Sequence, residues 1–469
     1  MIRYRASWIL PIGDPPIRDG WVAVDRDRVV AFGKRAPADA TTECDLGSVA
    51  ILPGLVNAHT HLELSYLRDE VPPASEFVTW VRSVIGARRS RPDPDAAEIV
   101  QSVECGIEES LRSGTALVGD ISNTLVTFGP LERSQLAALV FYELIRFAPT
   151  DADRLVEAAC RKLDALGPTA RVRTSLAAHA PYSVAPLVLR AIRRASDRNP
   201  FARCSVHLSE AVEEVEFIRT GGGPWRALLE ELGAWNPSWV APGVSPVQYL
   251  DEGGFLDSRV LAVHGVQMSS SDLARLAARG VTLVTCPRSN GHTGAGAPPL
   301  EEFYESGVRV AVGTDSLASS PDLSVFAELA TMRALAPSLP ASALLDSATR
   351  QGARALGFES RTGAADPKHR ESGVRERWSR LVTAASFQRG ASEAMRTATE
   401  DEMRTALRQA SAIAAVGGQR SLRQTLGLAH QIYNALVLLE PEGRARRIRL
   451  IDAIFGSVLR DSEHRDGGR

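Results

Sequence analysis

The sequence is poor in cysteine, in charge of one sign and in long apolar runs. Its five cysteines, at positions 44, 105, 160, 204 and 286, include no C-x-x-C pair, which argues against a disulfide framework and for a reduced, cytoplasmic protein. The formal net charge of −2 gives no strong field to attract nucleic acid or an anionic membrane. No apolar run approaches the roughly 20 residues of a membrane-spanning helix. The first residues also lack the pattern of a signal peptide.

A glycine-rich G-x-G-x-x-G turn is absent as well, which argues against an open, doubly wound sheet. Residues 1–52 instead show short strand patterns, "RYRASWIL", "GWVAVDRDRVVAFG" and "VAILPG", separated by Pro, Gly and Asp. From residue 53 onward, eight apolar strand-like runs alternate with segments of helical spacing. Continuous apolar strands alternating with helices indicate a parallel sheet, and eight of them indicate a closed β/α barrel.

The chain after residue 358 has a different composition. It is rich in Ala, Leu and Arg, and in residues 361–469 basic residues outnumber acidic ones by 19 to 13. These segments are typical of amphipathic helices with solvated faces rather than of a nucleic-acid-binding tail. We therefore expect an α/β protein in three parts: a small β-sandwich portion (1–52), a distorted TIM-like (β/α)8 barrel (53–358) and a divergent helical C-terminal segment (359–469).

Five histidines and one aspartate stand at the ends of the strand-like runs. They are His59, His61, His179, His207, His264 and Asp315. Because the C-terminal ends of barrel strands converge on one face, we expect these side chains to meet despite their separation in sequence. His59 and His61 lie two residues apart on one strand and so point the same way. Two adjacent imidazoles in an apolar setting need partners for their nitrogens, and a shared metal ion supplies them.

The ordered motifs resemble those of the amidohydrolase superfamily. "PGLVNAHTHLE", "HAPYS", "VHLSE", "AVHG", "CPRSN" and "GTDSLAS" follow one another as they do in its aminohydrolase branch, which deaminates purine-like heterocycles and includes the triazine chlorohydrolases. The resemblance covers roughly residues 1–358. It implies a metal-dependent deaminase acting on a small molecule in a barrel carrying a small β-sandwich, and it is compatible with a homodimer.

Carried over residue by residue, the resemblance makes His59, His61, His207 and Asp315 the ligands of one divalent ion. Such a ligand set suits zinc, with iron as the alternative. Glu210 then matches the acid that shuttles protons to the ring nitrogen and the leaving amine, and Asp315 also accepts a proton from water. The remaining assignments are His264 for polarising the water or the substrate, and His179, Ser289 and Asn290, with Glu210, for binding the substrate.

The stretch after the first barrel strand favours one class of substrate. "HTHLELS", followed by a helix with Phe77 and Trp80, and "VGDISNT" at the second strand resemble the aminodeoxyfutalosine deaminases of menaquinone biosynthesis. Deaminases of methylthioadenosine, S-adenosylhomocysteine or guanine and related chlorohydrolases are the alternatives. An inactive relative serving as a binding module is an alternative of another class. Phe77 and Trp80 could overhang the site or pack in the core, and Glu63 could touch substrate or brace a loop.

Overall fold

A computed structural model describes residues 1–25, 28–34, 42–199 and 201–359. Two compact units divide these residues, one comprising residues 1–10 and 16–52, and the other residues 11–15 together with the chain from residue 53. The predicted helical segment (359–469) lies outside the described residues from position 360 onward, so that prediction stays open. Within the described residues, none of the helices has the length and apolar character needed to cross a bilayer.

The small unit is a five-stranded sheet. Its strands are β1 (Ile2–Ile9), β2 (Ile17–Asp25), β3 (Arg28–Gly33), β4 (Glu43–Asp45) and β5 (Ala50–Ile51). β1 pairs antiparallel with β2 and parallel with β4 and β5, and β3 adds to the outer edge of β2. The buried Trp21 ring lies below the Arg3 guanidinium, 5.5 Å from it, and Arg3 also pairs with Glu43. Trp21 thus supplies a large buried apolar side chain to this small sheet.

Eight parallel strands form the second unit and confirm the predicted barrel. They are β6 (Leu55–Thr60), β7 (Thr115–Ser122), β8 (Ala137–Leu144), β9 (Val172–Ala178), β10 (Cys204–Leu208), β11 (Val260–His264), β12 (Thr282–Thr285) and β13 (Arg309–Val312), paired in sequence order. Backbone hydrogen bonds from Thr314 and Asp315 to the His59 carbonyl, each 3.1 Å long, join the last strand to the first. A Cβ on Gly313 would lie 2.7 Å from that carbonyl oxygen, so this close approach requires glycine.

Helices follow the strands. They are α1 (Phe77–Arg89), α2 (Ala97–Arg112), α3 (Phe128–Arg133), α4 (Ala152–Ala165), α5 (Pro186–Asp197), α6 (Val212–Thr220), α7 (Gly223–Glu231), α8 (Pro246–Glu252), α9 (Ser270–Arg279), α10 (Pro287–Thr293), α11 (Leu300–Glu305), α12 (Val325–Leu335), α13 (Ala341–Asp346) and α14 (Gly352–Ala355). α9 shows why the sequence folds this way locally. Ser269 and Asp272 form a capping box at its start, and Gly280 ends it in the left-handed conformation.

Two apolar layers hold the barrel together. The interior is filled by alternate residues of the strands, among them Leu139, Phe141, Ala177 and Val263, and α14 closes one end of this layer. The opposite parity of the same strands packs against the outer helices, with Val140 as an example. Since successive strand residues point to opposite faces, the parity of a residue shows whether its side chain enters the barrel.

Asp120 connects three segments at the second barrel strand. Its carboxylate accepts hydrogen bonds from the Leu62 backbone (2.9 Å), in the 3₁₀ turn Leu62–Leu67, and from the Thr127 hydroxyl (2.6 Å), which precedes α3. Burial raises the pKa of Asp120 from 3.8 to about 7, although both hydrogen bonds oppose the rise. The folded protein therefore favours the protonated form of this residue.

Replacing Asp120 with asparagine should change how stability depends on pH. Asparagine keeps both hydrogen bonds, because its amide can donate to the Thr127 hydroxyl, but it does not ionise. The stability contributed by Asp120 is present below pH 4 and is lost as the pH rises through 7, since its folded pKa is raised. Relative to the parent, Asp120→Asn should therefore gain up to about 4 kcal/mol between pH 4 and pH 8.

Urea unfolding of both proteins at pH 4 and at pH 8 measures this difference. Asp164→Asn, on the exposed face of α4, is the matched control and should show no such gain. An Asp120→Asn difference that is the same at both pH values would contradict the prediction.

Candidate active site

The barrel brings all six predicted strand-end residues together. His59 lies in β6 and His61 just after it, His179 follows β9, His207 is in β10, His264 ends β11 and Asp315 follows β13. The His59 ring centroid lies 4.9 Å from that of His61 and 5.0 Å from that of His207. His207 in turn stacks on His264 at 5.4 Å. These residues are distributed over more than half of the chain, and only barrel closure makes them neighbours.

Backbone strain helps to aim the side chains. Ser209, His264 and Asp315 all have positive φ angles, of 52°, 76° and 58°. Side chains other than glycine rarely adopt this region, and the cost is of order 1–3 kcal/mol for each residue. Val263 already points into the barrel, so strict alternation would direct His264 outward. The left-handed turn at His264 instead directs its imidazole toward the other histidines.

The donor atoms of His59, His61 and Asp315 are spaced to hold a metal ion. His59 Nε2 and His61 Nε2 lie 3.2 Å apart, and Asp315 Oδ1 lies 3.7 Å and 3.4 Å from them. Ligands about 2.0 Å from a tetrahedral zinc ion are separated by roughly 3.3 Å, which matches this spacing. His59 is fully buried, and its Nδ1 has no hydrogen-bond partner among the residues that the structure describes. These residues therefore fit the divalent ion that the sequence motifs imply.

His207 presents a fourth donor. Its Nδ1 donates to the His179 carbonyl oxygen at 2.8 Å, so its Nε2 carries the free lone pair. Nitrogens of His59, His207 and His264 lie within 4.8 Å of one another. Burial lowers the pKa of His59 far below its ordinary value and that of His207 to about 4. Both imidazoles are therefore neutral near pH 7, the form that binds a metal.

Glu210 and His264 form a buried polar pair beside these donors. His264 Nε2 lies 3.5 Å from Glu210 Oε2, and the Asn290 amide donates to His264 Nδ1 at 2.9 Å. This hydrogen bond places the imidazole proton on Nε2, so that nitrogen can donate but cannot ligate a metal. Burial, together with Asp315 and Glu214, raises the pKa of Glu210 well above its ordinary value. The folded site therefore favours the protonated form of Glu210 more strongly than water does.

Ser289 holds Asp315 in place. Its hydroxyl donates to Asp315 Oδ2 at 2.5 Å and also contacts the Ser319 hydroxyl. This leaves Asp315 Oδ1 facing His59 and His61. Burial alone would raise the pKa of Asp315, but the imidazoles of His61 and His264 and the Ser289 hydrogen bond keep it below the ordinary value. The hydroxyl of Ser289 and the amide of Asn290 thus orient catalytic groups here, and their contact with substrate stays a prediction.

His179 connects the polar centre to an apolar rim. Its Nδ1 bonds to the Ser183 hydroxyl at 2.6 Å, and burial lowers its pKa to about 3. Its ring packs edge-on against Tyr182, which stacks on Trp225 with ring centroids 3.7 Å apart. The same apolar cluster contains Leu64, Phe77, Trp80, Phe147, Val266, Ala295 and Ala318, which follow five different strands. Phe77 and Trp80 are buried within it, so of the two roles left open for them the structure shows core packing.

Glu63 braces the loop after β7. Its Oε2 accepts hydrogen bonds from the Ser122 hydroxyl (2.7 Å) and from the backbone nitrogens of Asn123 (3.0 Å) and Thr124 (3.1 Å). Its Oε1 accepts from Arg88 at 3.1 Å. Both oxygens of this buried carboxylate therefore accept hydrogen bonds within the protein. Of the two roles left open for Glu63, the structure favours support of the loop.

Sequence reasoning missed Glu143. This residue is buried near the end of β8, and one carboxylate oxygen lies within 4.8 Å of a ring nitrogen of His179 and of His207. The signal was present in "LVFYELI", because Glu143 has the same parity as Leu139 and Phe141, which fill the barrel interior. An acidic residue at the C-terminal end of a barrel strand, on its inner face, belongs to the candidate site.

The sequence of this chain is similar to those of known proteins. The sequence profile of the amidohydrolase family matches residues 50–369, which is more than half of the chain. The chain belongs to the amidohydrolase family. Aminodeoxyfutalosine deaminase from Deinococcus radiodurans is 34% identical over 318 residues, covering 66% of this chain and 73% of that relative. The 5-methylthioadenosine/S-adenosylhomocysteine deaminase from Moorella thermoacetica is 30% identical over 371 residues, covering 76% and 80%.

Solved structures show the same fold. Helicobacter pylori aminofutalosine deaminase in complex with methylthio-coformycin aligns with a TM-score of 0.68 at 27% identity, covering 78% of this chain and 89% of that one. An adenosine deaminase from Xanthomonas campestris with bound zinc aligns with a TM-score of 0.65 at 25% identity, covering 82% and 89%. The predicted family, barrel fold and class of metal-dependent aminohydrolase acting on a small molecule are thereby confirmed.

Proposed function

We propose that this amidohydrolase removes the amino group from an adenine nucleoside-like substrate, with aminodeoxyfutalosine as the preferred candidate. The observation that carries the proposal is the placement of the buried Glu210 carboxyl group, 3.5 Å from the donor nitrogen of His264, beside four metal donors. Hydrolytic deamination needs activated water and an acid that protonates the ring and the departing amine. The complete donor set argues against an inactive relative.

The proposed metal ligands are His59, His61, His207 and Asp315. Three imidazoles and one carboxylate suit Zn²⁺, and Fe²⁺ is the alternative because these ligands discriminate weakly between the two. A divalent ion held there supplies Lewis-acid activation of water at neutral pH. The Asp315 carboxylate is ionised and can accept a proton, while the hydrogen bond from Ser289 to its Oδ2 leaves Oδ1 facing His59 and His61.

Glu210 is the proton donor of the proposed reaction, whereas Asp315 is the proton acceptor. Burial raises the pKa of its carboxyl group and favours the protonated form, which can deliver a proton to a ring nitrogen and make the adjacent carbon more electrophilic. After that transfer the carboxylate can take up a proton again and pass it to the amine, which leaves as ammonia. His264, with its proton on Nε2, donates a hydrogen bond to the oxygen that adds to this carbon. Asn290 keeps His264 in that tautomer.

The rim of the site fits a nucleoside carrying an apolar substituent. His179 offers a polar nitrogen near the donor cluster, while Tyr182, Trp225 and Phe77 form an aromatic surface immediately beside it. A purine with its sugar would thus meet polar groups first and apolar groups further out. The relative at 34% identity supports aminodeoxyfutalosine, and the relative at 30% identity supports methylthioadenosine or S-adenosylhomocysteine as the second candidate.

Release of ammonia by the metal-loaded full-length protein tests the proposal. We expect kcat/KM for aminodeoxyfutalosine to exceed that for methylthioadenosine, S-adenosylhomocysteine, adenosine and guanine by about tenfold or more, a difference of about 1.4 kcal/mol in transition-state binding. A higher kcat/KM for methylthioadenosine or S-adenosylhomocysteine would show that the second candidate is the preferred substrate. Absence of ammonia from all five compounds would overturn both.

A further inference from the structure

Glu143 is a buried carboxylate that the reaction chemistry above does not use. It follows Leu139 and Phe141 at alternate positions of β8, so its side chain enters the barrel at the end where the active site lies. Its residue exposure is 5%. Placing a carboxylate at such a position is costly unless its oxygens receive hydrogen bonds.

Only one of its two oxygens is satisfied by the described residues. Oε2 accepts from the Asn123 side-chain amide at 2.8 Å, whereas Oε1 has no hydrogen-bond partner. Oε1 lies 3.6 Å from His207 Nδ1, but that nitrogen already donates its proton to the His179 carbonyl oxygen at 2.8 Å. An unused acceptor therefore remains between the substrate-binding His179 and the proposed metal ligand His207.

A chain of polar contacts fixes this acceptor. The Asn123 amide oxygen accepts from Arg88 at 2.9 Å, and Arg88 is held by Glu63, whose other contacts secure the loop after β7. Asn123 must therefore direct its NH₂ group toward Glu143. Glu143 cannot turn its free oxygen away without breaking this contact, so the acceptor is preorganised.

We propose that Glu143 binds a sugar hydroxyl of the nucleoside substrate, accepting its proton at Oε1 while His179 lies beside the same group. This inference rests on the proposed function. It identifies Glu143 as a residue that makes the enzyme specific for substrates carrying a sugar hydroxyl at this position. A carboxylate only accepts hydrogen bonds, and a hydroxyl is a neutral donor of suitable size. A second metal ion is disfavoured here, because His207 Nδ1 carries a proton and only Glu143 and His179 would remain as ligands.

The test compares Glu143→Gln with the parent on adenosine, 2′-deoxyadenosine and 3′-deoxyadenosine. In the variant, the oxygen of the amide must face Asn123, so its NH₂ group replaces the free acceptor. We expect kcat/KM of the parent to fall roughly 10- to 100-fold when the bound hydroxyl is removed, as for loss of a hydrogen bond to a charged group. Glu143→Gln should lose a similar factor on adenosine and nothing further on that deoxy analogue.

The controls separate this role from others. Glu132→Gln makes the same change at an exposed position of α3 and should behave like the parent. Metal content of Glu143→Gln, measured by elemental analysis, should equal that of the parent. Equal losses on all three nucleosides, or loss of metal, would overturn the inference while leaving the proposed function intact. A parent that deaminates none of these nucleosides and not aminodeoxyfutalosine either would instead overturn the proposed function.

Discussion

Replacing His61 with alanine should remove the bound metal and lower kcat/KM for ammonia release by roughly 10³-fold or more. His61 Nε2 is 3.2 Å from His59 Nε2 and 3.4 Å from Asp315 Oδ1, so its loss opens one side of the donor cluster. The remaining groups could bind an ion only weakly, because the neighbouring protein atoms cannot move in to replace an imidazole. Elemental analysis after dialysis and a steady-state ammonia assay measure the two effects.

His292→Ala is the matched control for this change. His292 is a half-buried histidine of α10, in the same unit, whose Nε2 bonds to the Val71 carbonyl oxygen at 3.0 Å. Its removal should cost stability of about 1 kcal/mol and leave the metal content unchanged. Stoichiometric metal and parental activity in His61→Ala would show that the ion, if needed, is held elsewhere.

The barrel and the cluster of polar residues at its strand ends could be predicted from the sequence, because both depend on short-range patterns. Each strand is a continuous apolar run. His264 is the last residue of its strand, and His207 is the last but one of its strand. Barrel topology then supplies the convergence of these residues without any knowledge of contacts. The pair at His59 and His61 needed only the alternation of a strand.

Other features depend on contacts that no local pattern contains. The function of Glu63 follows from hydrogen bonds to Ser122, Asn123 and Thr124, about 60 positions away. The left-handed backbone of His264 is set by tertiary packing, since only a few per cent of residues other than glycine adopt that region. The tautomer of that histidine depends likewise on Asn290, a residue of α10.

Glu143 is an intermediate case. Its alternation with Phe141 was visible in "LVFYELI", yet an acidic residue at the end of a strand is as often a solvated turn residue as an inward-facing one. Only the position of Asn123 shows that one oxygen is held and the other is left free. The sequence could therefore place this side chain, whereas its chemistry required the structure.

Glu210→Gln should lower kcat about 10²- to 10⁴-fold while metal content and fold stay unchanged. Glutamine has the size of the protonated carboxyl group and can still contact His264, but it cannot deliver a proton to a ring nitrogen. Glu216→Gln, the same change at an exposed position of α6, is the control and should keep parental activity.

The pH profile distinguishes proton transfer by Glu210 from a purely structural contribution. Burial raises the pKa of Glu210, so the protonated form that the proposed reaction needs persists to a higher pH than in an ordinary glutamate and is lost as the pH rises through the raised pKa. The parent should therefore show an alkaline decrease in kcat/KM, and the low residual activity of Glu210→Gln should lack it. A variant that keeps the same alkaline decrease would assign this ionisation to another group. Parental kcat in Glu210→Gln would exclude Glu210 as the acid, because a group that carries two proton transfers cannot be replaced by an amide without slowing the reaction.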